Sequence, residues 1–70
     1  MRLVVNGEER DSAASNLNEL WEAESRELDL PGPRGFAMAL NGAVVRQPEW
    51  SATELRDGDK VEIIRAMQGG

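Results

Sequence analysis

Lys60-Val61-Glu62-Ile63-Ile64-Arg65 alternates charged and apolar residues at period two as far as Ile64, the pattern of a β-strand with one buried face. Three aliphatic residues in one short run suit a strand inside a sheet rather than at its edge. What it pairs with decides the fold. We expect it beside the first strand of the chain and parallel to it, which accounts for Val61, Ile63 and Ile64 together. Just upstream, Asp57-Gly58-Asp59 reads as a tight turn, and Glu49 to Leu55 as a loop with a short helical turn that drops Trp50 or Leu55 onto the core.

Further out lie two hairpins built on the same chemistry. Phe36 to Leu40 and Ala43-Val44-Val45 flank Asn41-Gly42; Arg2-Leu3-Val4-Val5 runs into Asn6-Gly7 and returns through Glu8-Glu9-Arg10-Asp11. Asn-Gly tolerates the positive φ of a two-residue hairpin turn. The return strand is polar on both faces, as an edge strand should be to discourage pairing with other molecules. Between the hairpins, Ser15 and Asn16 are good N-caps, and Asn16 with Glu19 resembles a capping box. Leu17, Leu20, Trp21 and Leu28 then form the apolar stripe of one helix, with Glu19, Glu22, Glu24 and Glu27 expected on its solvated face. Pro31-Gly32-Pro33-Arg34-Gly35 cannot continue that helix and reads as a loop. One helix whose stripe needs a single sheet to cover it makes an α+β roll: a mixed sheet of four to five strands packed on one helix.

Composition narrows the functions open to such a roll. Seventy residues make one small domain, expected over 1–65, with a tail at 66–70. Thirteen acids against eight bases give a net charge of -5, so nucleic acid and anionic membrane surfaces are excluded as first partners. No stretch is long and apolar enough to span a bilayer or to form a signal-peptide core, the chain opens on a strand-like run, and we expect a cytoplasmic protein. Cysteine, histidine and tyrosine are all missing, and with them a thiolate nucleophile, the commonest general base and the commonest metal ligand. The chain reads as a partner of enzymes and not as an enzyme, with no metal or cofactor of its own.

The feature that points to chemistry is Ala66-Met67-Gln68-Gly69-Gly70. At average glycine usage, two glycines in the last two places occur by chance in about one chain in two hundred. A terminus that must thread a narrow enzyme channel and present its α-carboxylate to a nucleotide cannot carry a Cβ near the reacting carbon. Five extended residues reach about 17 Å, enough to enter a partner's site while the domain stays outside. Adenylation would turn the carboxylate from a poor electrophile into a mixed anhydride, with the partner supplying cationic groups and magnesium. A frayed terminus without a role is the other reading of the same residues.

The stretch Leu40-Asn41-Gly42-Ala43-Val44-Val45, then Trp50, then Leu55 to Ile64 and the closing Ala66 to Gly70 resembles the ThiS family of sulfur carriers of thiamine biosynthesis, within the ThiS/MoaD group. Val5-Asn6-Gly7 matches as well. The resemblance implies a ubiquitin-like β-grasp fold, in agreement with the strand order read above. It also implies a cycle in which the Gly70 carboxylate is adenylated by a ThiF-like enzyme using ATP and magnesium. Sulfur from a cysteine desulfurase or rhodanese-type donor would then convert it to a thiocarboxylate, which is presented to thiazole synthase ThiG. By position, Gly69 keeps the channel clear and Ala66, Met67 and Gln68 complete the tail; Val44, Ile63 and Ile64 are the docking residues that the family implies. The Pro- and Gly-rich stretch 29–35 and the helix start at Ser15-Asn16 depart from the family pattern, in loops.

Two other readings stay open. One is a MoaD-like small subunit of molybdopterin synthase, which shares the fold and the ending and would form a stable complex with a large subunit. The other is a protein modifier or plain β-grasp interaction module, although Lys60, the chain's one lysine, argues against chain building of the ubiquitin kind. Trp21 and Trp50 are read as packing residues, and Asp57 and Asp59 as turn residues with too few companions for calcium.

Overall fold

The computed structural model describes residues 1–65; the tail expected at 66–70 lies outside the described residues. Strands β1 (Arg2–Val5) and β2 (Glu8–Asp11) form the first hairpin, helix α1 (Leu17–Glu27) crosses the sheet, and β3 (Phe36–Leu40) and β4 (Ala43–Val45) form the second. A 3-10 helix over Gln47–Ala52 leads toward β5 (Lys60–Arg65). The sheet order is β2-β1-β5-β3-β4. As expected, β5 is central: parallel to β1, with Val61 opposite Val5, and antiparallel to β3, with Ile63 opposite Met38. This is the α+β roll read from the sequence, a five-stranded mixed sheet on one helix.

Both Asn-Gly pairs turn as their chemistry requires, with φ of 51° and 83° at Asn6 and Gly7 and 51° and 88° at Asn41 and Gly42. At the helix start the Asn16 side chain accepts a hydrogen bond from the Glu19 amide at 2.8 Å. The Glu19 carboxylate reaches back one residue further than a standard capping box, accepting from the Ser15 amide at 2.8 Å and the Ser15 hydroxyl at 2.9 Å. The Ser15 amide, and after it the Ser15 hydroxyl, hold the Glu19 carboxyl below its ordinary range.

The core is assembled from Leu3 and Val5 of β1, Leu17, Leu20 and Trp21 of α1, Met38, Trp50, Leu55 and Val61. Both Trp50 and Leu55 reach it. Trp50 is fully buried, its indole 5.7 Å from that of Trp21, and its Nε1 donates to the Val45 carbonyl at 2.8 Å. The 3-10 turn is therefore tied to the end of β4 by the residue it buries.

Three expectations need correction. Leu28 is 51% exposed and does not belong to the helix stripe. The helix closes at Leu28 in a Schellman arrangement: Asp29 takes φ 55°, the Leu30 amide donates to the Ser25 carbonyl and the Asp29 amide to that of Arg26. The turn swings Leu30, not Leu28, against the core. Glu24 is buried, not solvated, because Arg10 reaches across from the edge strand and its Nη1 lies 3.0 Å from Glu24 Oε1. Ile64 does not share the interior with Val61 and Ile63. Successive strand residues point to opposite faces, so it stands on the outer face at 42% exposure.

Candidate functional site

Strand β5 is the last element of the described residues, and two turns hold it in place. Asn6 Oδ1 accepts a hydrogen bond from the Ile63 amide at 2.8 Å, extending the hold on β5 beyond the last β1 pair at Val61. On the other flank, Asn41 Oδ1 accepts from the Lys60 amide at 2.9 Å and Asn41 Nδ2 donates to Asp59 Oδ1 at 3.0 Å. Each asparagine thus makes a hairpin turn and grips the neighbouring strand. The Asn-Gly pairs signal the turns in the sequence; the second role depends on the strand order and has no local signal.

β5 ends at Arg65, whose guanidinium lies 5.8 Å from the centroid of the Phe36 ring. Ala66, Met67, Gln68, Gly69 and Gly70 follow it in sequence, outside the described residues.

The three docking residues that the family resemblance implies do not share a face. Val44 pairs with Ala39 and Ile64 with Ala37, so the outer face of the sheet carries Val44, the buried Ala39, Ala37 and Ile64 over β4, β3 and β5, with Glu62 on the same face opposite Ala39. Val44 is 66% exposed, and it and Ile64 are two of the four exposed large apolar side chains among the described residues. Ile63 lies opposite Met38 and packs against the core on the helix side. A strand cannot turn two consecutive residues to one face, and that removes Ile63 from the outer one.

The polar clusters elsewhere are occupied by structural bonds. A depression of about 370 Å³ between β2 and α1 is lined by Arg10 and by Glu24 and Glu27, both of which pair with Arg10, and it lies two strands from β5. Asp59 Oδ2 accepts from the Arg56 amide within the turn, and Asp57 Oδ1 accepts from the Arg2 amide, which ties the turn to the start of β1. Among the described residues no group of three or more acidic, histidine or cysteine side chains is placed to hold a metal ion, and no helix is long and apolar enough to cross a membrane.

A five-stranded mixed sheet on one helix, its last strand central and parallel to its first, defines a ubiquitin-like β-grasp protein. The family model of the ThiS family matches residues 3–70. The sulfur carrier protein ThiS of Thermus thermophilus is 38% identical over 66 residues, which span 94% of this chain and 95% of that protein. A thiazole synthase of Paramagnetospirillum magneticum is 37% identical over all 70 residues, although the chain spans about a fifth of its length, 20%. The crystal structure of a thiamine biosynthesis protein, ThiS, from Geobacter metallireducens superposes with a TM-score of 0.80 at 33% identity over the whole of both chains. The solution structure of a thiamine biosynthesis protein from the same organism gives 0.72 at 37% identity, covering this chain fully and 88% of the other. The chain belongs to the ThiS family of sulfur carriers of thiamine biosynthesis.

Proposed function

We propose that the chain carries sulfur as a thiocarboxylate on Gly70 and gives it up for the thiazole ring of thiamine. The observation that carries this reading is that the family match runs through Gly69 to Gly70 itself. The chemistry of the chain supports it: without cysteine, the α-carboxylate is the group on which sulfur can be held covalently. The carboxylate attacks the α-phosphorus of ATP and releases pyrophosphate. In the second step the outer sulfur of the donor's cysteine persulfide displaces AMP from the acyl adenylate, and a thiol then cleaves the resulting acyl disulfide, which leaves the thiocarboxylate on Gly70 and a disulfide on the donor side. Both steps run in the partner's site, where its cations and magnesium stabilise the phosphates. The chain itself acts as a co-substrate and not as a catalyst.

In this reading three cytoplasmic partners handle the same end in turn: a ThiF-like adenylating enzyme, a cysteine desulfurase or rhodanese-type sulfur donor, and thiazole synthase ThiG. The Paramagnetospirillum thiazole synthase, a fifth of which matches this chain, supports the last of these. Gly69 leaves the channel free of a Cβ beside the reacting carbon, and the outer face carrying Val44 and Ile64 is the one on which the domain rests while its end is inside.

The test is the intact mass of the N-terminally tagged chain after incubation with ATP, magnesium, a ThiF-like enzyme and a sulfur donor. The expected gain is that of one oxygen replaced by one sulfur, mapped to Gly70. An unchanged mass, with the same enzymes active on another ThiS-family carrier, would overturn the reading.

A further inference from the structure

The chain is acidic overall, yet its cations are not spread evenly. Seven of its 13 acids lie on two elements, three on β2 and four on α1. Of the cations, Arg2 and Arg10 form ion pairs with acids on β2 and α1. The other six, Arg26, Arg34, Arg46, Arg56, Lys60 and Arg65, are exposed and make no ion pair among the described residues. The topology brings three of them, Arg34, Arg46 and Arg65, to one end of the sheet. Arg65 closes β5 opposite Phe36, the first residue of β3. Arg34 lies two residues before Phe36, whose amide is tied back to the Pro33 carbonyl at 3.1 Å. Arg46 follows Val45, which pairs with Met38, so it continues β4 toward that same start of β3. A depression lined by Pro33, Arg34 and Gln47 shows that the loop before β3 and the segment after β4 are neighbours. Asp29, Glu49 and Glu62 are the acids nearest to these arginines in sequence, and Arg26, whose carbonyl accepts from the Asp29 amide, adds a fourth cation beside them. Counting them, this end carries a net positive charge, while the whole chain carries -5.

The geometry points to a docking role: Arg34, Arg46 and Arg65 form a cationic rim around the place where β5 runs out into Ala66, and the rim engages an acidic protein surface at the mouth of the adenylating partner's active site. This rests on the reading that Gly70 enters that site. An acidic partner repels β2 and α1 and attracts the rim, so the field turns the chain end-on before contact and raises the fraction of encounters that can insert the tail. The rim sets the approach, and the outer face with Val44 and Ile64 supplies the contact once the approach has succeeded.

The experiment is stopped-flow association of the full chain with the purified ThiF-like enzyme, with ATP-driven adenylation followed in parallel. The triple variant Arg34→Gln/Arg46→Gln/Arg65→Gln is compared with Arg56→Gln, an exposed arginine beside the Asp57–Asp59 turn. A fourth protein, Arg34→Gln/Arg46→Gln, keeps Arg65 on the Phe36 ring in case that contact matters for folding. The triple variant is expected to associate about tenfold more slowly at low salt. The double variant should show an intermediate loss, Arg56→Gln none, and the difference should vanish near 1 M salt, where the screening length is about 3 Å. At saturating carrier the adenylation rate should be unchanged. Equal association rates for the triple variant and the unaltered chain would overturn the rim while leaving the sulfur-carrier reading intact. So would an equal loss in Arg56→Gln. An unaltered chain that is not adenylated at all would overturn both.

Discussion

Replacing Trp50 by phenylalanine tests whether one buried indole secures the connection between β4 and β5. The ring has no exposed surface, it stacks at a tilt on Trp21 and its Nε1 donates to the Val45 carbonyl at 2.8 Å. Phenylalanine keeps the aromatic contact and removes the donor. A shielded carbonyl left without its partner costs about 1–3 kcal/mol, and the lower end applies because this bond is only partly buried. The missing ring atoms leave a cavity of roughly 40 Å³, which at about 24 cal/mol per Å³ adds about 1 kcal/mol. The expected loss is therefore about 2 kcal/mol. A domain of this length holds roughly 3.5–10 kcal/mol in all, at about 0.05–0.15 kcal/mol per residue, so Trp50→Phe should fold. Trp50→Ala, at about 3–5 kcal/mol, should leave little margin. Urea unfolding followed by far-UV circular dichroism, with Trp21 fluorescence as the second probe, measures both. A Trp50→Phe loss under about 0.5 kcal/mol, the scatter of ordinary surface changes, would refute the claim that this indole fastens the 3-10 turn.

Gly69→Val places a β-branched side chain beside the reacting residue; it should abolish thiocarboxylate formation in the mass assay and leave the circular dichroism spectrum unchanged, and normal conversion would mean that the glycine serves some other purpose. Asn16→Ala removes the acceptor for the Glu19 amide and should cost about 1 kcal/mol in urea unfolding. Glu19 titrates lower in the folded chain than its ordinary value of 4.5, so its contribution is complete above that value and is lost as the pH falls through the lower folded one. Urea unfolding between pH 6 and pH 3 should therefore show a shallower acid loss for Glu19→Gln than for the unaltered chain, and identical slopes would refute the assignment. Val44→Asp, on an exposed position of the outer face, should change stability by no more than about 0.5 kcal/mol and weaken binding to the ThiF-like enzyme about tenfold in calorimetric titration. Undiminished binding would clear that face of any docking role.

The fold was legible where local chemistry decides local shape. Asn6-Gly7 and Asn41-Gly42 name their turns because few other pairs accept positive φ so cheaply, and the alternation in 60–65 names a strand because nothing else has period two. What escaped a local reading depends on residues far apart. Glu24 looks like every other acid on the helix until the hairpin swings Arg10 over it from 14 residues away. Leu28 fits the helical stripe by spacing, yet Asp29 adopts φ 55° and ends the helix before the stripe can use it. In the candidate site, Ile63 and Ile64 are equally aliphatic neighbours, and only the pairing with β3 says which one faces out. The chemistry assigned to Gly69 and Gly70 is legible from composition and resemblance alone, since two glycines have no side chains to arrange.

The central position of β5 also determines how the domain bears load. A partner that grips the end of the chain and draws it inward pulls along the axis of β5. That strand is bonded to β1 on one flank and β3 on the other, with Asn6 and Asn41 adding anchor points at 2.8 Å and 2.9 Å. Tension along a strand flanked on both sides shears its bonds together, whereas a hairpin pulled apart at its open end loses them one by one. In the sulfur-carrier reading the domain is an anchor as well as a handle, because a pull applied beyond Arg65 is borne by both neighbours of β5 at once.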